Sequence, residues 1–132
     1  MSKVKVSSTR NFNKGRAELQ CPVSYVVNKI GGYWKPIILY QLMMGTKRYS
    51  ELKRAIPAIT EKMLIQHLKQ LQEDDMVIRN MKETVPPFVE YSLGPSGKTL
   101  KPLLNLMAEW AVNDNRKRAL EERKKQSKAV IV

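Results

Sequence analysis

The sequence contains one thiol, Cys21, which stands directly before Pro22. Proline at the first position of a helix costs little, because the N–H that it lacks has no partner there in any case. The pair therefore predicts that Cys21 lies at a helix N-terminus, where the partial positive charge lowers the pKa of a thiol and favours the reactive thiolate. Oxidation or alkylation is the chemistry open to such a residue. The alternative is a small buried hydrophobe, the commonest role of a free cysteine.

A second group of candidate side chains lies on a helix predicted to begin after Thr60, which is expected to cap it. Leu64, Leu68 and Leu71 repeat at i, i+4 and i+7 and predict one buried stripe. Amide and ammonium groups on the opposite side can bond to base edges in a DNA major groove, Gln66 to adenine and Lys62 to guanine. The full predicted set is Thr60, Glu61, Lys62, Ile65 and Gln66 near bases, with Lys69 on phosphate. The alternative is a solvated helix face without a partner.

The residues before this helix have the pattern of the other half of a helix-turn-helix. Ser50 is the predicted N-cap of a short helix that must end before Pro57, and residues 57–59 form the turn. Such a unit buries one side of a helix and offers the other to a DNA groove. Cations and a hydroxyl at the helix start predict a phosphate-binding position, with surface charge as the alternative: Arg48, Ser50, Lys53 and Arg54.

Two predicted strands follow, at residues 77–83 and 88–93, because valine, isoleucine, phenylalanine and tyrosine favour a pleated surface. Pro86 and Pro87 confine the connection between them to a loop. A β-hairpin that directly follows the DNA-contacting helix of a helix-turn-helix is called a wing. We expect Arg79, Lys82 and Thr84 to contact the DNA backbone or an adjacent minor groove, although Glu83 weakens the attraction at the tip.

Helices are predicted on both sides of this unit. Residues 22–30 carry Val23, Val26, Val27 and Ile30 at the spacing of one buried face, and residues 34–44 form a second helix that is apolar nearly all round and should be the most buried. A long helix from residue 95 to about 123 has more apolar surface than one small core needs, with Pro102 at a kink or near its true start. A partner helix from a second copy is therefore expected at Leu103, Leu106, Met107 and Trp110.

Composition narrows the class of protein. With 132 residues, 42% of them apolar, the chain is long enough for one core, and no apolar run approaches a membrane span. The polar N-terminus makes the cytoplasm the expected location. The formal charge of +12 lies mainly in residues 1–20 and 116–132. The predicted organisation is a flexible basic arm (1–20), a DNA-binding core (21–94) and a dimerisation helix with a basic tail (95–132).

No pattern of an enzyme is present. The sequence lacks a phosphate-cradling glycine loop, metal-ligand spacing and a nucleophile with a histidine partner, and it has one cysteine and one histidine. We therefore expect no catalytic residues, no metal and no cofactor.

The ordered series of segments resembles the HxlR family of winged helix-turn-helix regulators, within the broader MarR-like group. The similar segments are CPV (21–23), IGGYWKPIIL (30–39), RYSELKRAIPAIT (48–60), KMLIQHLKQLQ (62–72), VPPFVEYSL (85–93) and the closing helix with Trp110. Three positions depart from the family pattern: Tyr33 for lysine, Asp75-Met76 for Gly-Leu, and Gly94 for threonine. An aspartate at that helix stop must take the turn with some strain.

The resemblance implies a mainly α fold with a small β-hairpin, in which a winged helix-turn-helix is joined by an extra N-terminal helix and a C-terminal dimerisation helix. It also implies a homodimeric transcription factor, commonly a repressor, on a near-palindromic operator in double-stranded DNA. A small-molecule or oxidant inducer is expected, since some relatives use a cysteine at the place of Cys21 as a sensor. A basic RNA- or ribosome-associated protein and a winged-helix adaptor between proteins remain the alternatives.

Overall fold

The computed structural model describes the backbone of residues 21–131 and the side chains of residues 21–128, so the predicted arm at residues 1–20 lies outside the described residues. Within residues 21–131, six helices and three strands follow in order. They are α1 (Pro22–Ile30), α2 (Trp34–Met43), β1 (Lys47–Arg48), α3 (Tyr49–Ala55), α4 (Glu61–Glu73), β2 (Val77–Lys82), β3 (Phe88–Leu93), α5 (Pro95–Thr99) and α6 (Lys101–Ile131). The predicted mainly α fold with a β-hairpin is confirmed.

The chain consists of two compact units, one extending to Lys98 and the other beginning at Thr99. In the first unit, α2, α3 and α4 supply the most buried side chains. Ile38 and Leu39 of α2, Leu52 of α3 and Leu64 of α4 have no exposed surface. The near-uniform apolar character of α2 therefore predicted its central position correctly.

The sheet contains a strand that the sequence pattern did not predict. β1 is only two residues long, and it pairs antiparallel with β3 so that Lys47 lies opposite Tyr91 and Arg48 opposite Glu90. The strand order is β1-β3-β2. Because β3 is the central strand, the hairpin is joined on its other side to the residues that begin α3.

Two predictions about helix ends and faces are wrong. α3 begins at Tyr49 rather than after a Ser50 cap, because the carboxylate of Glu51 accepts a hydrogen bond of 2.9 Å from the backbone N–H of Arg48. In α1, Val23 and Val27 were predicted to be buried but are 67% and 57% exposed. The face with helical spacing exists, but the residues that the structure describes do not cover it.

The connection after α4 explains two departures from the family pattern. Asp75 has φ of 56°, so the predicted strain of the left-handed turn is present. Gly94 donates its N–H to the carbonyl of Met76 at 2.8 Å, and a Cβ on Gly94 would collide with the carbonyl oxygen of Asp75. The strands therefore approach closely at this point because residue 94 has no side chain.

The second unit consists mainly of α6, a helix of 31 residues and about 46 Å. Pro102 is its second residue, which confirms the prediction that it stands near the true start. Leu104 is buried, whereas Leu106, Met107 and Trp110 are exposed by 63%, 46% and 69%.

Candidate nucleic-acid interface

The two sides of α4 differ as the leucine spacing predicts. Leu64, Leu68 and Leu71 are at most 1% exposed. Thr60 caps the helix, since its Oγ1 accepts a hydrogen bond of 3.2 Å from the backbone N–H of Met63. The predicted contact residues are all exposed: Thr60, Glu61, Lys62, Ile65, Gln66 and Lys69. Met63, 38% exposed, joins this surface although its apolar side chain gave no signal of a contact role.

Arg48 is held by the wing. Its guanidinium carbon lies 3.8 Å from the centre of the Phe88 ring, a cation–π contact between the start of α3 and the start of β3. A guanidinium stacked on a ring can still present its planar fork of N–H donors to a phosphate oxygen. The sequence predicted Arg48 as a contact but gave no indication of Phe88 as its support.

The two other predicted cations of α3 bond to nearby backbone carbonyls, Arg54 within the helix and Lys53 in the turn that follows it. The Nζ atom of Lys53 donates to the carbonyl of Pro57 and the Nε atom of Arg54 to that of Ser50, each at 3.4 Å. Ser50 itself is exposed in the first turn. These hydrogen bonds are long and exposed, and both cations lie on the outer side of α3. Either side chain can therefore exchange its carbonyl partner for an anion with little loss of free energy.

In the wing, the predicted residues differ in what they contact. Arg79 is exposed on β2 opposite Tyr91. Lys82 forms an ion pair of 3.3 Å with Glu90, and the hydroxyl of Thr84 donates to the carbonyl of Pro86 at 2.9 Å. Lys82 and Thr84 therefore have partners within the wing, and Arg79 is the better placed of the three for an external anion.

A groove of about 640 Å³ brings five of the predicted residues together from β1, α3, α4 and β2: Arg48, Ser50, Ile65, Lys69 and Arg79. Phe88, Val89 and Tyr91 of β3 form much of its apolar wall. Three cations and no carboxylate line it, so its potential favours an anion. The other eight predicted residues do not line this groove: Lys53, Arg54, Thr60, Glu61, Lys62, Gln66, Lys82 and Thr84. Sequence spacing could not predict the groove, because it depends on the pairing of β1 with β3.

Two buried polar atoms lie near α4. The hydroxyl of Tyr49, another residue lining the groove, and Nδ1 of His67 have no hydrogen-bond partner among the described residues. Burial raises the pKa of Tyr49, and the charges of Glu61 and Tyr91 add to the shift. Burial lowers the pKa of His67, as does the charge of Lys35, while a hydrogen bond with Gln70 acts in the opposite direction. His67 is therefore neutral in the folded chain near pH 7.

Cys21 is the N-cap residue of α1 and is exposed, so the alternative of a buried hydrophobe is wrong for the chain by itself. The backbone N–H of Ser24 lowers the pKa of the thiol most, followed by the Ser24 hydroxyl and the backbone N–H of Val23. These donors stabilise the thiolate in the way expected at a helix N-terminus. The prediction of a thiol at the start of a helix is confirmed.

The protein has a polar face on α4, an anion-attracting groove beside it and a wing formed by the β2–β3 hairpin. These features define a winged helix-turn-helix DNA-binding protein. Residues 29–119 match the HxlR-like helix-turn-helix family model. The chain belongs to this family, and it is a transcriptional regulator of the helix-turn-helix class.

Similar proteins extend this result. YkvN of Bacillus subtilis (strain 168), an HTH-type transcriptional regulator, is 48% identical over 93 residues, which are 70% of this chain and 79% of YkvN. The redox regulator HypR in its reduced form has a TM-score of 0.68 and 40% identity, covering 77% of this chain and 99% of HypR. The reduced form of the regulator YodB from B. subtilis has a TM-score of 0.62 and 33% identity, covering 70% of this chain and 91% of YodB.

The described residues contain neither a membrane span nor a metal-binding cluster. None of their helices combines the length and apolar character needed to cross a membrane. Within the same residues, no three side chains of His, Cys, Asp or Glu are grouped to hold a metal ion.

Proposed function

We propose that this protein is a homodimeric repressor whose α4 reads a near-palindromic operator in the major groove. The supporting observation is the division of α4 into a fully buried leucine stripe and an exposed face with Lys62, Ile65 and Gln66. A major groove accepts one helix of this kind, and its exposed side chains then reach base edges. Arg48, Lys69 and Arg79 of the groove supply contacts to phosphate that fix the register of the helix without choosing the sequence.

The homodimer is supported by apolar side chains that each unit leaves uncovered. On α6, Leu106, Met107 and Trp110 stand at a spacing of three to four residues and are largely exposed, with Leu103 half-buried on the same stripe. A contiguous row of exposed apolar side chains is typical of an interaction surface. A second copy is the simplest partner, because DNA-binding dimers of this class meet two half-sites about one helical turn of DNA apart, roughly 34 Å or a multiple.

Thiol modification at Cys21 is the proposed signal for release. The chain has one cysteine, so a disulfide at this position joins two chains or one chain and a small thiol. In the first case, the Cys21 thiolates of two chains form an S–S bond and give up two electrons to an oxidant such as diamide. Diamide accepts these two electrons together with two protons and becomes a hydrazine. Solved structures of HypR in its oxidized form and of diamide-treated YodB support this regulation by likeness.

Selection of bound DNA from a random pool tests the proposal. The wild-type protein should enrich a near-palindromic site, and diamide should release it. Cys21→Ser protein should enrich the same site and retain it under diamide. Enrichment of no sequence would contradict operator reading, whereas equal release of the serine variant would contradict only the role of the thiol.

An RNA- or ribosome-associated role predicts aromatic rings exposed on a sheet for base stacking. In the sheet, Tyr91 is buried and the ring of Phe88 is covered by Arg48. This arrangement favours the reading of duplex DNA.

A further inference from the structure

The second half of α6 is strongly basic and fully exposed. Residues 116–128 contain seven Lys or Arg residues and two Glu residues, and all thirteen side chains are exposed. The family match ends at residue 119, so most of this stretch lies beyond the residues shared with the family model. Four of its seven cations therefore lie outside the shared core.

The cations are unevenly distributed around the helix. With about 100° of rotation per residue, five of them fall within an arc of about 140°, which we call the α6 basic face: Arg116, Lys117, Arg123, Lys124 and Lys128. Glu121 lies at the edge of this arc. Glu122 lies on the opposite side, together with Arg118 and Lys125. Arg118 is engaged there by Asp114 at 3.0 Å.

The described residues do not neutralise the α6 basic face. None of its five cations forms an ion pair with another residue whose side chain the structure describes. Arg116 and Arg123 stand two helical turns apart, as do Lys117 and Lys124, a rise of about 10 Å. Leu120 occupies the turn between these two pairs, so no cation of the face stands four residues after Arg116 or three residues after Lys117. The helix therefore presents a row of separated positive charges about 18 Å long.

We propose that the α6 basic face binds phosphates of duplex DNA outside the operator bases read by α4, and so lengthens the DNA site that the protein occupies. This inference rests on the proposed function. Duplex DNA carries one negative charge per about 1.7 Å of its axis, so a linear row of cations fits it without any requirement for sequence. The contacts add affinity and salt dependence, and they leave base preference to α4.

The composition of the face argues against two other polyanions. A helix that lies on a membrane needs an apolar side, and Leu120 is the only large apolar residue between 116 and 128. Single-stranded RNA is held by aromatic stacking, and residues 111–128 contain no aromatic residue.

The test compares two double variants that remove equal charge from opposite sides of one helix segment. Lys117→Gln with Lys124→Gln removes two face cations two turns apart, and the matched control Arg118→Gln with Lys125→Gln removes two cations at the same separation outside the face. The dependence of operator affinity on salt is measured on long DNA and on DNA trimmed to the operator. On long DNA, the face variant should flatten the slope of log K against log salt by about 1.8 per protomer, and the control should barely change it.

On trimmed DNA, both variants should match the wild type. Circular dichroism confirms that α6 remains helical, and a second face variant, Arg116→Gln with Arg123→Gln, should reproduce the first result. Equal slopes for the wild type and both face variants would overturn the inference, as would an equal change in the control. Loss of binding to phosphatidylserine vesicles without a change on DNA would also overturn it. If the wild type selects no DNA sequence at all, the proposed function fails and this inference fails with it.

Discussion

The Arg48 guanidinium is packed against the Phe88 ring, with 3.8 Å between the guanidinium carbon and the ring centre. Arg48 pairs with Glu90 in the sheet and caps α3, so this one contact joins the helix-turn-helix to the wing. An arginine held in this way loses less freedom when it binds a phosphate than one that is free in solvent.

Phe88→Leu should therefore weaken operator binding while leaving base preference unchanged. Loss of an exposed cation–π contact is worth about 0.5–1 kcal/mol, which corresponds to a two- to fivefold rise in Kd. Phe88→Tyr keeps the ring face and should bind as the wild type does. Fluorescence anisotropy with labelled operator measures all three proteins, and an unchanged Kd for the leucine variant would show that the ring does not support Arg48.

Substitutions at two neighbouring residues on opposite sides of α4 should have different effects, one on the stability of the fold and the other on DNA binding. Leu64 is fully buried and Ile65 is 45% exposed. Leu64→Ala should lower the free energy of unfolding by about 2–5 kcal/mol, because it leaves a cavity. Ile65→Ala should change the stability little and weaken DNA binding. Urea denaturation combined with anisotropy checks both, and similar stability losses for the two variants would contradict the assigned orientation of α4.

The periodicity of apolar residues predicted this orientation because a helix face needs only local information. Local information also placed Cys21, through Pro22 at the first helical position, and α2, through its nearly uniform apolar character. It did not predict β1 or the groove lined by Arg48, Lys69 and Arg79, because both depend on pairing between residues more than forty positions apart in the sequence. It also assigned Val23 and Val27 to the core, since spacing identifies an apolar face but does not reveal whether this chain or a partner covers it.

The cap of α3 was missed for a different reason. Serine is a common N-cap residue, and Ser50 precedes a predicted helix. The backbone N–H that needs a partner belongs to Arg48, and Glu51 three residues later supplies it. The helix start therefore follows the position of the glutamate, and no side-chain cap by Ser50 is required.

The stability of the protein should fall as the solution becomes mildly acidic, because of His67. Burial and the charge of Lys35 place its pKa below the unfolded value of about 6.5. The neutral form contributes its full stability above pH 6.5, and this stability is lost as the pH falls through the folded pKa. Urea denaturation between pH 8 and pH 5 should show the decline in the wild type. His67→Gln should lack it over this interval, and an identical decline in both proteins would exclude His67 as the cause.

Alkylation of Cys21 should proceed at a lower pH than alkylation of an ordinary thiol, since the thiolate is the reactive form and its pKa is lowered by Ser24 and Val23. Ser24→Ala removes the hydroxyl but keeps the backbone N–H, the larger cause, so the midpoint of the rate against pH should rise only in part. Iodoacetamide labelling followed by mass spectrometry gives both curves. A wild-type midpoint equal to that of a cysteine in a short peptide would contradict thiolate stabilisation at the start of α1.

The most direct test of α4 as the reading helix compares the sequences selected from a random DNA pool by the wild type, Gln66→Ala and Lys69→Ala. Gln66→Ala should relax base preference at one position of each half-site, at a cost of about 1–3 kcal/mol against the preferred base. Lys69→Ala should weaken binding to all sequences alike and reduce the salt slope by about 0.9 per protomer. If the Gln66→Ala protein selects the same sequences as the wild type with the same stringency, that result would contradict base reading by Gln66 on α4.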